Sequence, residues 1–227
     1  MNYVIDAPQQ ATLSVEGTDD LFPIRRIYCI GRNYADHAIE MGHDPDREPP
    51  FFFQKNPNNV DESGTFPYPP HTEDVHFEIE MVVALKSGGR NIALDDALNH
   101  VFGYGVGLDM TRRDLQGQMK KMGRPWEIGK AFEQSAPMGP LYPVSRVGHP
   151  EAGRIELKVN GERKQTGDLN QMIWKVPEMI NYLSDYYELA PGDLIMSGTP
   201  AGVGPVVRGD VMVGTIEGLG EFRCEVI

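Results

Sequence analysis

The sequence predicts an α+β fold that is mainly β, and three observations carry that prediction. Segments that alternate apolar and polar residues outnumber segments with helical spacing. Strand-like and helix-like segments do not alternate regularly, which argues against a doubly wound parallel sheet. Asn160-Gly161, set between Ile155–Val159 and Glu162–Thr166, is the strongest short hairpin signal in the chain.

In chain order, residues 1–25 read as a short β arm, with strands expected at Tyr3–Ile5 and Thr12–Val15. Residues 26–227 read as one domain, because 227 residues suffice for a full core and are few for two. The domain opens with an apolar strand, Arg26–Ile30, and a helical segment, Tyr34–Met41, stopped by Gly42. A charged, proline-rich loop follows, then a strand at Phe51–Lys55 and a long turn-rich connection over residues 56–72. Strands are expected at His76–Leu85 and Val101–Asp109, and a helix at Thr111–Met122 ahead of Gly123 and Pro125. After the hairpin comes a helix, Pro177–Leu189, with proline in its first turn and Pro191-Gly192 beyond its end. Three strands close the chain: Asp193–Met196, Asp210–Glu217 and Glu221–Ile227.

Charge and composition exclude several functions. With 21 basic and 33 acidic residues, the net charge of −12 argues against nucleic acid as a partner. No apolar run approaches the ~20 residues a bilayer span needs, and no signal pattern opens the chain, so a cytoplasmic protein is expected. Cys29 and Cys224 form no C-x-x-C and read as small buried hydrophobes.

The chemistry concentrates in a few places. In His76–Leu85, Phe77, Ile79, Met81, Val83 and Leu85 share one face, while His76, Glu78, Glu80, Val82 and Ala84 share the other. Two carboxylates would lie about 7 Å apart along that second face. A solvated face is the ordinary account of E-x-E, but the apolar Val82 and Ala84 continue it. Desolvated like charges resist ionisation unless a cation neutralises them, which points to a metal site. In Val101–Asp109, Gly103, Gly105, Gly107 and Asp109 share a face, and three glycines weaken a strand unless something approaches its backbone closely. Asp109 or Thr111 suits the N-cap of the next helix. Asp109 equally completes, with Glu78 and Glu80, an all-oxygen set suited to Mg²⁺ or Mn²⁺.

His37 and Glu40 lie three apart on one helix face, where a carboxylate can orient an imidazole as general base; a surface pair has the same spacing. Arg113 and Gln116 also share a helix face, whereas Arg112, Lys120 and Lys121 read as a solvated basic stripe. Lys130 sits in apolar Trp126–Phe132, where a lysine either snorkels to water, the commoner outcome, or serves as a site cation. Residues 198–204 lack the Gly-Lys-Ser/Thr ending of a P-loop, yet their glycines and Thr199 suit contacts to an anion. His43, His71, His76, His100 and His149 show no pairing and read as structural.

Taken together, E-x-E, G-x-x-L-D-M-T-x-R-D-x-Q and S-G-T-P-x-G-V-G, in this order over residues 25–227, resemble the catalytic domain of the fumarylacetoacetate hydrolase family. The resemblance implies a mixed β-roll with a few peripheral helices, normally a homodimer. It implies Glu78, Glu80 and Asp109 as ligands of Mg²⁺ or Mn²⁺, and His37 with Glu40 as a water-activating dyad on a segment that orders over substrate. Lys130, Arg113 and Gln116 match the oxyanion-stabilising group and Thr199 a substrate contact. The founding enzyme's large N-terminal domain has only the short arm as a counterpart here.

Within the family, residues 22–28 and 46–55 look most like the branch that cleaves fumarylpyruvate in gentisate breakdown, although Asn56–Asn59 departs from that branch's Lys-Pro pattern. The implied activity is metal-dependent hydrolysis of the carbon–carbon bond of an anionic acylpyruvate. The alternatives are a metal-dependent oxaloacetate decarboxylase, a non-catalytic protein in which a cation staples two strands and, ranked third, a metal-dependent hydratase or isomerase. Arg32 and the loop over residues 43–50 are the candidates for receiving the substrate's distal carboxylate.

Overall fold

A computed structural model describes residues 2–34 and 50–227 of the chain. The segment carrying His37 and Glu40 lies outside the described residues. The fold is α+β and mainly β, as predicted. Its centre is a mixed six-stranded sheet in the order Tyr142–Pro143, Val101–Leu108, Ile79–Leu85, Asp193–Met196, Arg26–Gly31, Phe51–Lys55. Only Asp193–Met196 and Arg26–Gly31 run parallel. A five-stranded sheet packs against it, in the order Glu162–Asp168, Arg154–Val159, Val211–Ile216, Glu221–Val226, Thr65–Phe66. A third sheet of three short strands runs Thr111–Arg112, Val75–Phe77, Gly204–Val206.

The central strand Ile79–Leu85 is buried along its whole length because both its faces are covered. Ile79, Met81, Val83 and Leu85 join the larger core with Ile155, Leu157 and Ile216 of the five-stranded sheet. Val82 and Ala84 face a second core with Leu194, Met196 and Leu13, Phe22 and Ile24 of the arm. The arm holds its place through a hairpin, Thr12–Ser14 with Leu21–Pro23, whereas Tyr3–Ile5 forms no strand and is exposed. The predicted Asn160-Gly161 hairpin is present, with φ of 52° and 80° at the two turn residues.

Three element boundaries differ from expectation. The predicted strand His76–Leu85 is interrupted at Glu78, leaving Val75–Phe77 and Ile79–Leu85 in different sheets. The helix expected from Thr111 begins at Arg113, because Thr111 and Arg112 instead pair antiparallel with His76 and Val75. Its N-terminus carries no side-chain cap from Asp109 or Thr111. The last helix runs Val176–Tyr186 and not to Leu189, since Tyr187 is extended and packs its ring 5.2 Å from that of Tyr28.

Candidate active site

Three chain segments cross between the six-stranded and three-stranded sheets side by side. The first crosses at Glu78, between Val75–Phe77 and Ile79–Leu85. The second crosses at Asp109, between Val101–Leu108 and Thr111–Arg112. The third is the loop from Met196 to Gly204. The Asp109 N–H donates to the Glu78 carbonyl at 2.8 Å, and Glu80 lies opposite Gly107 in register. The outcome is convergence: one oxygen from each of Glu78, Glu80 and Asp109 lies within 4.8 Å of the others, all three residues buried.

The glycines of Val101–Leu108 explain how this register is reached. A Cβ on Gly103 would collide with the Tyr142 backbone, and one on Gly105 would stand 3.1 Å from the Pro140 carbonyl oxygen. On Gly107 it would stand 2.8 Å from Val82 Cγ2. Close approach is thus what the glycine face permits, by residues 140–142 on one side and by the neighbouring strand Ile79–Leu85 on the other. Gly198, at φ 88°, carries the third crossing past Asn33, and its N–H donates to Glu80 Oε2 at 2.9 Å.

Three cations face the cluster, paired with Glu78 and Asp109. Lys130 Nζ lies 2.8 Å from Glu78 Oε2 and 2.7 Å from Asp109 Oδ2. Lys55 Nζ stands 2.9 Å from Asp109 Oδ1, and Arg113 pairs with Glu78 Oε1. Burial opposes the charge on Lys130, but Asp109 and Glu78 outweigh it and hold its ammonium above the ordinary lysine value. Lys130 therefore does not snorkel; it is 2% exposed. Burial, reinforced by Asp109 and Glu78, pushes the Glu80 carboxyl well above the usual carboxylate range.

This donor set fits a divalent ion. It is all oxygen, converges on one point, and includes Asp109 Oδ1, a buried atom that accepts no well-directed hydrogen bond despite nearby Lys55. Two positive charges placed among the carboxylates would also relieve the repulsion that burdens Glu80.

The remaining expected residues gather on the same pocket. Gln116 accepts from Arg113 Nη1 at 2.8 Å, and both line it with Lys130 and Thr199. Arg112 stacks its guanidinium 4.3 Å from the Phe132 ring centroid and so leaves the expected solvated stripe, whereas Lys120 is exposed at the pocket's edge. Of the remaining histidines, His149 Nδ1 lies 2.7 Å from the Tyr104 hydroxyl and His100 Nδ1 2.8 Å from Ser87 Oγ, while His76 Nε2, expected to be unpaired, lies 2.9 Å from Asp74 Oδ1.

Three residues were not singled out from the sequence. Lys55 passes there for the end of an apolar strand. Gln165 is fully buried, accepts from the Ile79 N–H at 3.0 Å and donates to Thr199 Oγ1 and the Pro200 carbonyl, each at 2.8 Å. Asn33 donates to the Ser197 carbonyl at 2.8 Å and accepts from the Trp174 N–H at 2.6 Å. Gln165 sits among polar residues with no apolar alternation, so nothing in its neighbourhood marks it.

Comparison with known proteins agrees with this geometry. The family profile described as fumarylacetoacetate (FAA) hydrolase C-terminal matches residues 26–227. The chain is 44% identical over 189 residues to a fumarylpyruvate hydrolase of Ralstonia sp, covering 82% of this chain and 98% of the relative. It is 39% identical over 202 residues to the mitochondrial oxaloacetate tautomerase of Mus musculus, covering 89% and 91%. Among solved structures, the fumarylpyruvate hydrolase from Pseudomonas aeruginosa in complex with Mn²⁺ and pyruvate superposes with a TM-score of 0.98 at 53% identity, covering 100% of this chain and 99% of that one. By profile, sequence and structure together, the chain belongs to the fumarylacetoacetate hydrolase family.

Proposed function

We propose that the protein hydrolyses an acylpyruvate, in particular fumarylpyruvate to fumarate and pyruvate. The observation that carries this reading is the buried triad of Glu78, Glu80 and Asp109 enclosed by Lys130, Lys55 and Arg113. These side chains balance in charge, so a divalent ion leaves the site doubly positive and suited to an anionic substrate. Glu78, Glu80 and Asp109 would hold Mg²⁺ or Mn²⁺, which supplies Lewis acidity toward a 2-keto acid. The similarity to fumarylpyruvate hydrolases, one of them solved with Mn²⁺ and pyruvate, supports the same assignment.

In this mechanism His37, polarised by Glu40, takes a proton from water as it adds to the carbonyl distal to the pyruvoyl group. Lys130, Arg113 and Gln116 donate to the oxyanion that forms there, each donor contributing about 3 kcal/mol. The bond from that carbon to the pyruvate methylene then breaks. Its electron pair passes to the pyruvate unit, which takes up the proton held by His37. Thr199 contacts the substrate from the third crossing. The protein is proposed to act in the cytoplasm as a homodimer, which sedimentation at micromolar concentration would test.

A second reading has one observation in its favour: relatives named oxaloacetate tautomerase, at 37–39% identity. Tautomerisation uses the same 2-keto acid recognition but needs no attacking water. Decarboxylation of oxaloacetate, the alternative weighed from the sequence, likewise needs none. Parallel assays of fumarylpyruvate, acetylpyruvate and oxaloacetate, with Mg²⁺ or Mn²⁺ and with EDTA, separate these activities. His37→Ala should lower fumarylpyruvate turnover by about 100-fold or more; undiminished turnover would remove the dyad from the mechanism.

A further inference from the structure

The pocket changes character from floor to mouth. At its floor are the three buried carboxylates and Lys130. Towards solvent the lining becomes aromatic and basic, with Phe51, Trp126, half-buried Arg32 and exposed Lys120. Arg32 is held there in an unusual way. Its φ is 57°, in the left-handed region that an arginine seldom occupies. Such outliers concentrate where a side chain must be aimed. Directly before it, Gly31 pairs in register with Phe51, and the Phe51 ring lies so close to the Gly31 backbone that no Cβ would fit between them. Above that ring stands the Arg32 guanidinium, 5.0 Å from its centroid. Trp126 braces Phe51 edge-on at 5.4 Å, with the two ring planes 84° apart. Glycine, phenylalanine and tryptophan thus form a stacked support that fixes one guanidinium on the wall of the pocket.

We infer that Arg32 receives the distal carboxylate of a dicarboxylic substrate, with Phe51 as its positioning residue, and that this subsite selects enoyl-dicarboxylates over short monoacyl substrates. The inference rests on the acylpyruvate reading above. A planar guanidinium presents two parallel N–H donors to a carboxylate, and the stack under it fixes the plane of that fork. The apolar rings between floor and mouth suit the planar trans-enoyl carbons that join the two ends of fumarylpyruvate. Acetylpyruvate offers only a methyl group at that end and has nothing for Arg32 to hold.

The test compares kcat/KM for fumarylpyruvate and for acetylpyruvate in the Mn²⁺-loaded full-length protein. Arg32→Gln should lower the ratio of the two values about tenfold or more, mainly through KM for fumarylpyruvate, and Arg32→Lys should restore part of it. Phe51→Leu should move the ratio in the same direction by less. Equal losses on both substrates would overturn the inference, because they would place Arg32 at the shared pyruvoyl end or in the framework. Calorimetric titration with fumarate supplies a readout without turnover: its affinity should fall about tenfold in Arg32→Gln, while thermal melting confirms that the variant is folded. A wild-type protein that binds fumarate but cleaves no acylpyruvate sinks the hydrolase reading and leaves the subsite standing. Fumarate affinity unchanged by Arg32→Gln sinks the subsite alone, and a wild-type protein that does neither sinks both.

Discussion

Lys55 reaches Asp109 from the end of the Phe51–Lys55 strand with its side chain wholly withdrawn from water, 2.9 Å from Oδ1. Its ammonium also donates to the carbonyls of Met110, at 3.3 Å, and Lys130. Removing one partner of such a pair leaves the other charge stranded, which typically costs about 3–5 kcal/mol. Lys55→Met is therefore expected to lower the unfolding free energy measured in urea by about 3–5 kcal/mol, and to lower the affinity for Mn²⁺ less than Asp109→Asn does. A loss under about 1 kcal/mol would mean that Lys130 alone satisfies Asp109. The sequence shows that an ammonium ends an apolar strand, but not which anion it meets. Lys130 poses the same problem: its apolar neighbours favour snorkelling to water, the outcome the structure overturns. Only the carboxylates 21 and 52 residues away decide it. Glu78 and Glu80 are more legible, because two acids beside Val82 and Ala84 conflict with burial within the sequence itself.

At the scale of elements, the glycine face of Val101–Leu108 was readable as a request for close approach, though not as to what would approach. Gly107 shows the constraint most locally, since Val82 Cγ2, Met138 Cγ and Met196 Cε would stand 2.8, 3.3 and 3.5 Å from an added methyl. Overpacking of this kind costs about 1–3 kcal/mol. Gly107→Ala should destabilise the fold by that amount in urea unfolding, and adding Val82→Ala should recover part of the loss. A strictly additive double variant would show that strand spacing, and not the Val82 methyl, sets the limit. The break at Glu78 was illegible for a related reason. Alternation runs unbroken through His76–Leu85, and a period of two cannot report that a strand changes sheets without changing direction. The Asn160-Gly161 hairpin needs no distant partner, and its position is legible in the sequence. Helix ends set by tertiary pairing, at Thr111–Arg112 and Tyr187, are not.

Across the whole molecule, the two cores lie on opposite faces of the six-stranded sheet, and the carboxylate cluster lies at its junction with the three-stranded one. No helix among the described residues is long and apolar enough to cross a membrane. Mn²⁺ or Mg²⁺ bound only to the folded state should raise the melting temperature, by about 2.7 kcal/mol of stabilisation at an ion concentration 100-fold above Kd. EDTA should reverse the shift, and Glu80→Gln should shrink it; a melting curve indifferent to both ions would count against the triad as a metal centre. The junction has one more consequence. Glu78 and Asp109 stand 31 positions apart in the chain, so an ion gripping both closes a loop that the unfolded chain would otherwise leave open. In polymer terms it is a removable cross-link, comparable to a disulfide over the same span, whose loop entropy is lost from the denatured ensemble. The same three carboxylates would then tie sheet to sheet and serve substrate chemistry, so the cation staple and the catalytic ion need not be rival accounts.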